Sequence, residues 1–139
     1  MSTIAEIQTE IVEEFGFFDD WMDRYQYIID LGRQLPPFPE QNKTDANRLY
    51  GCQSQVWLTA DNDGDAMTFQ ATSDSAIVCG LIALVLRVYS GQTAAEILNH
   101  PPKFVEDIGL KAHLSPTRSN GLASMLDTIR KFASESAAA

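Results

Sequence analysis

An α+β fold is the architecture this sequence predicts: a small antiparallel β-sheet, made of a hairpin plus a short third strand, packed against several α-helices. Three observations predict it. The first 32 residues hold two segments with apolar residues at helical spacing. Two alternating segments then flank an Asp-Gly pair in the middle of the chain. Beyond them come a long apolar segment and a series of capped helical ones. Helices segregated from a short run of strands read as α+β rather than as a parallel α/β sheet.

The first helix should start at a Ser2 or Thr3 cap and run to about Glu14, with Ile4, Ile7 and Ile11 as its apolar stripe and Gly16 as its break. The second should start at Asp19 or Asp20, acids that the helix macrodipole favours in a first turn. Its apolar face is Trp21, Tyr25, Ile28, Ile29 and Gly32. Pro36-Pro37-Phe38-Pro39 then forbids helix and imposes extended chain. Strands are predicted over Gln55–Ala60 and Ala66–Thr72, joined through Asp61-Asn62-Asp63-Gly64-Asp65, with the third strand around Arg48–Gly51.

Ser73 or Asp74 should cap the next helix, about Ser75–Tyr89, which Gly91 closes. Its apolar residues surround it on nearly every side, so it belongs in the core. Thr93-Ala94-Ala95-Glu96 is a capping box for a short helix ending before Pro101. Residues 103–110 supply another turn or two. Ser115-Pro116 opens the last helix, to about Phe132, with Leu122, Met125, Leu126 and Ile129 facing inward. The whole chain, 1–139, reads as one domain with a frayed tail over 133–139.

Composition excludes several functions. A net charge of −9 argues against a nucleic-acid binder and against an anionic membrane surface. Residues 1–40 carry nine acids against two bases, whereas the other 99 residues hold ten against eight. That acidic face reads either as solvated helix surface or as a field that steers a basic partner. The longest apolar stretch, Ala76–Tyr89, is too short for a bilayer span, and residues 1–15 lack the pattern of a signal peptide. With two cysteines and no disulfide framework, a cytoplasmic location is the expectation.

Cys52 is the most informative residue. It stands in a loop, outside any periodic apolar pattern, after Gly51 and before Gln53 and Ser54. Gly51 permits close approach by another molecule, and reactive thiols sit in partly exposed loops. By placement alone both a functional and an incidental thiol stay open. Cys79, inside the apolar helix, reads as core packing or a partly exposed helix position. No CxxC is present, and His100 and His113 stand far from each other and from both cysteines, so a metal site has no local support. No phosphate-binding glycine loop appears. Arg118 falls in the first turn of the last helix, where the macrodipole disfavours a cation; a carboxylate or a sulfur anion as partner would explain it. Asp74, an acid at a helix start, is explained by capping.

Four ordered blocks carry a family resemblance. They are Tyr27-Ile28-Ile29-Asp30-Leu31-Gly32, Gly51-Cys52-Gln53-Ser54-Gln55-Val56-Trp57, Asp74-Ser75-Ala76-Ile77-Val78 with Gly80-Leu81, and Leu114-Ser115-Pro116-Thr117-Arg118-Ser119-Asn120-Gly121-Leu122. Together they resemble the SufE family of sulfur acceptors, which includes CsdE, over roughly residues 10–132. The family is more often basic at position 79, where this chain has Cys79.

The resemblance implies a fold similar to the IscU-type scaffold and a partner role to a pyridoxal-phosphate cysteine desulfurase of the SufS or CsdA kind. It implies that Cys52 takes persulfide sulfur from the desulfurase, stimulating it, and passes the sulfur to an iron–sulfur scaffold or other acceptor. Gly51, Gln53, Ser54, Asp74 and Arg118 would be its surroundings or docking surface. Such a protein is a carrier rather than an enzyme and holds no cofactor or metal; the pyridoxal phosphate belongs to the partner. The Cys52 side chain is expected to rest in an apolar recess, with loop N–H groups and Arg118 activating the thiol. The alternative is a binding module that activates the desulfurase allosterically without carrying sulfur. A homodimer, the choice between the SufE and CsdE branches and the final acceptor stay open.

Overall fold

A computed structural model describes residues 3–49 and 54–138. Helix α1 (Ile4–Phe15) starts at a reciprocal cap: Thr3 Oγ1 accepts from the Glu6 amide at 3.1 Å, and Glu6 Oε1 accepts from the Thr3 amide at 3.4 Å. Helix α2 (Trp21–Gly32) is capped by Asp20, whose carboxylate accepts from the Asp23 amide at 2.9 Å. Two 3₁₀ turns, Glu40–Asn42 and Asp45–Asn47, carry the chain from the proline run to the sheet.

Strands β1 (Val56–Asp63) and β2 (Ala66–Ser73) form an antiparallel hairpin in which Val56 faces Ser73 and Asp63 faces Ala66. The turn is shorter than expected. Only Gly64 and Asp65 lie in it, and Gly64, at φ 63°, occupies the first of the two positions. The pair therefore acts as a Gly-first hairpin turn in place of the longer connection predicted over residues 61–65. Val56, Leu58, Met67, Phe69 and Ala71 point from one face into the core.

The third strand lies elsewhere than predicted. It is β3 (Gln92–Thr93), paired antiparallel with the Ala66–Met67 end of β2, giving sheet order β1-β2-β3. At the opposite edge, Arg48 forms an isolated bridge to Trp57, with the Leu49 amide donating to Val56 O at 2.9 Å. Tyr50 and Gly51, the rest of the expected strand, fall outside the described residues.

Helix α3 (Ala76–Tyr89) is buried over most of its length and packs against β2 and α2. The α2 contact explains two glycines. A Cβ on Gly80 would meet Ile28 O at 2.1 Å, and one on Gly32 would meet Gly80 N at 2.5 Å. The helix backbones approach too closely there for any side chain. Helices α4 (Ala94–Asn99), α5 (Lys103–Asp107) and α6 (Leu110–His113) are short. Gln8 ties α1 to α5: its side chain donates to Pro101 O at 3.2 Å and accepts from the Phe104 amide at 2.9 Å. Helix α7 (Pro116–Ala138) packs on α4 and runs on past Phe132. Residues 133–138 of the expected frayed tail are helical, and Ala133 is fully buried.

Candidate functional site

Gly51, Cys52 and Gln53 lie outside the described residues, so the site is built from what frames them. On one side, the Leu49 amide is fixed to Val56 O. On the other, Gln55 is held twice by Asp74: the Gln55 amide donates to Asp74 Oδ1 at 3.0 Å, and the Asp74 amide donates to Gln55 O at 3.3 Å. Asp74 thus extends the hairpin pairing by one step beyond Val56–Ser73. It is not the α3 cap. Ser75 takes that position, its hydroxyl accepting from the Val78 amide at 3.5 Å, because Asp74 is committed to Gln55.

Immediately beside Ser54 opens a cavity of about 240 Å³. Val56 of β1, Val78 and Leu81 of α3, and Leu122 and Met125 of α7 line it with apolar surface. Ser54, Ser115, Thr117 and Arg118 supply its polar lining, and Gly121 completes the α7 wall. Three larger hollows, of about 360, 430 and 600 Å³, take no lining from β1 or α3.

The α7 start places Arg118 at this cavity. Ser115 precedes Pro116, the first helical residue, and its Oγ accepts from the Arg118 amide at 3.3 Å. The guanidinium is exposed, and among the described residues no carboxylate pairs with it. A cation beside the first turn of a helix makes this an electropositive corner over an apolar floor. That combination suits a polarisable anion such as a thiolate. Of the expected site residues, the structure therefore brings Ser54 and Arg118 to one cavity and sets Asp74 behind Gln55.

Cys79 is half-buried, and its thiol donates to Ser73 O at 3.4 Å. The histidines stand apart from the cavity. His100 Nδ1 lies 2.8 Å from Glu96 O, while the His113 ring stacks on Trp21 at 3.9 Å between centroids. Among the described residues no group of three His, Cys, Asp or Glu side chains converges as a metal site, and no helix is long and apolar enough to cross a membrane.

Sequence reasoning assigned Val78, Leu81, Leu122 and Met125 to the core and did not see that they floor a recess. Buried and recess-lining positions share one periodicity, so pattern alone does not separate them. Ser115 and Thr117 were visible only as the cap and first turn of α7. The Ser-Pro start was the available signal, since it fixes which residues face the helix mouth.

Known proteins are similar to this chain over most of its length. The family model of the SufE domain, described as an Fe-S metabolism associated domain, matches residues 9–133. A SufE-like protein of Rhizobium meliloti is 46% identical over 129 residues, covering 89% of this chain and 92% of the relative. One of Rhizobium etli is 46% identical over 135 residues, covering 94% and 91%. A third, from Synechocystis, is 38% identical over 120 residues, covering 86% and 76%. Among solved structures, the solution structure of a hypothetical protein from Thermus thermophilus has the same fold, with TM-score 0.78 at 20% identity, over 96% of this chain and 97% of that one.

Proposed function

The chain belongs to the SufE family, whose members serve sulfur transfer in iron–sulfur metabolism, and on that premise we propose that Cys52 is the sulfur carrier. In this reading the Cys52 thiolate attacks the sulfane sulfur of a persulfide on a pyridoxal-phosphate cysteine desulfurase. A new S–S bond forms on Cys52 as the desulfurase S–S bond breaks, and the desulfurase cysteine leaves as a thiolate. The thiol proton of Cys52 goes to solvent and the departing thiolate takes one up, so no net oxidation occurs. Onward delivery to a scaffold or another acceptor repeats the exchange, with Cys52 as the leaving group.

The observation that carries this reading is the recess beside Ser54, apolar below and bearing an Arg118 guanidinium that no described carboxylate pairs. Covalent geometry keeps the Cα of Cys52 within about 7 Å of the Cα of Ser54, so the recess is within its reach. The apolar floor shields a persulfide from reductants. Arg118 and the α7 N-terminus favour the anionic sulfur over the neutral thiol. Gly51, Gln53, Ser54 and Asp74 form the surface the desulfurase meets. The exchange itself needs no cofactor on this chain.

Desulfurase turnover measured with Cys52→Ser tests the role. A carrier requires the variant to lose the stimulation that the wild type gives. Retained stimulation would make the protein an allosteric module instead.

A further inference from the structure

We propose that the corner between α1 and α2 is a second docking surface, one that seats a basic face of the desulfurase bearing an apolar pocket. This deepens the reading above and rests on it. Phe17 and Met22 are 83% and 82% exposed, and they are the exposed large hydrophobic residues of the described chain. Frayed backbone does not account for them. The Phe17 amide donates to Glu14 O at 3.2 Å and the Phe18 amide to Phe15 O at 3.2 Å, while Asp20 caps α2. Arg24 Nε donates to Phe18 O at 3.2 Å, and its guanidinium lies over the Trp21 ring at 5.2 Å. The corner is therefore a fixed platform that presents two apolar side chains to water.

Charge decides the occupant. Glu13, Asp19, Asp20 and Asp23 surround Phe17 and Met22 in sequence; all four are exposed, and none makes an ion pair with a described residue. The only base within Glu13–Asp23 and the following residue is Arg24, which is already engaged. Exposed carboxylates around apolar anchors match a cationic rim around an apolar pocket. Two side chains are too few for a stable interface, which needs roughly 800 Å² on each partner. The corner must therefore extend a larger footprint, and the recess lies along the same chain of contacts. Trp21 stacks on His113, Tyr25 donates its hydroxyl to His113 O, and Ser115, two residues on, lines the recess.

The test is a titration of the intact protein against the cysteine desulfurase encoded by the same genome, at low and high salt. The double variant F17S/M22S should weaken binding about tenfold or more, and Asp19→Asn with Asp23→Asn should flatten the salt dependence. Circular dichroism and melting of each variant check the fold, which these exposed sites do not hold together. Binding by F17S/M22S within twofold of wild type, with Cys52 of the wild type still gaining sulfur, would overturn this proposal alone. Failure of wild-type Cys52 to gain sulfur would overturn the reading beneath it, and this proposal with it. Sedimentation showing a wild-type dimer that F17S/M22S dissolves, with desulfurase binding unchanged, would assign the corner to a second copy instead.

Discussion

Two arginines on buried-faced helices, Arg87 and Arg118, have opposite surroundings. Arg87 stands in the last turn of α3, where the macrodipole favours a cation. It is half-buried and forks onto Glu14, at 2.8 and 2.5 Å, with Glu10 at 3.5 Å and Tyr27 completing the cluster on the other side of Glu14. That cluster joins α1, α2 and α3. Arg118 stands in the first turn of α7, against the macrodipole, exposed and without a carboxylate among the described residues. The difference separates a base that holds helices together from one that, in the proposed reading, is kept available to an incoming anion. Cations set against a local preference and left unpaired are worth reading as chemistry; those that satisfy every neighbour are worth reading as structure.

The sharpest break comes at the helix junction. Gly80→Ala should destabilise the fold by about 3 kcal/mol or more, because its Cβ would overlap Ile28 O and neither backbone can retreat. Chemical denaturation measures it, and a variant near wild-type stability would show that α2 and α3 do not pack as described. Glu14→Ala comes next, costing about 1–2 kcal/mol by leaving the half-buried Arg87 without its fork. Sulfur uptake by that variant should persist under folding conditions, since the junction lies apart from the recess.

Arg118→Ala should do the reverse. Its stability should stay within about 0.5 kcal/mol of wild type, while alkylation of Cys52 by iodoacetamide slows by about threefold or more. An unchanged rate would remove Arg118 from the thiol's surroundings. The smallest effect is the pH dependence of the junction. The Arg87 guanidinium, more than the hydroxyl of Tyr27, holds the Glu14 carboxyl below its ordinary range, against the opposing pull of burial. Its contribution is therefore complete above about pH 4.5 and fades as pH falls through the lowered value, so Glu14→Gln should flatten the acid limb of a stability profile. Burial and Glu14 push the Tyr27 hydroxyl up to about 12. That contribution is complete below about pH 10 and fades between pH 10 and 12, so Tyr27→Phe should flatten the alkaline limb.

Much of this was legible in the sequence, and the misses have physical causes. The caps at Thr3, Asp20, Thr93 and Ser115 and the apolar α3 set the helices near their predicted places. Strand β3 was missed because two residues ending at a helix cap show no period. The α3 cap fell to Ser75 because Asp74 has a better use at Gln55, a long-range contact that no local rule foresees. The tail over 133–139 was expected to fray, yet α7 continues to Ala138, because alanine is the strongest helix former and Ala133 is buried against the core. Arg118 stood out by defying its dipole, whereas the recess floor hid inside the core periodicity. Cys52 itself was conspicuous as a loop cysteine, and a sulfur anion was one of two partners left open for Arg118, 66 positions further on, until the family blocks favoured it.

Intact mass after incubation with the desulfurase and L-cysteine, with Cys52→Ser alongside, decides whether Cys52 carries sulfur. A carrier cysteine gives a gain of about 32 Da, or multiples of it, on the wild type, removed by reductant and absent from the variant. Wild-type protein that gains no sulfur, or Cys52→Ser that gains as much, would contradict that role.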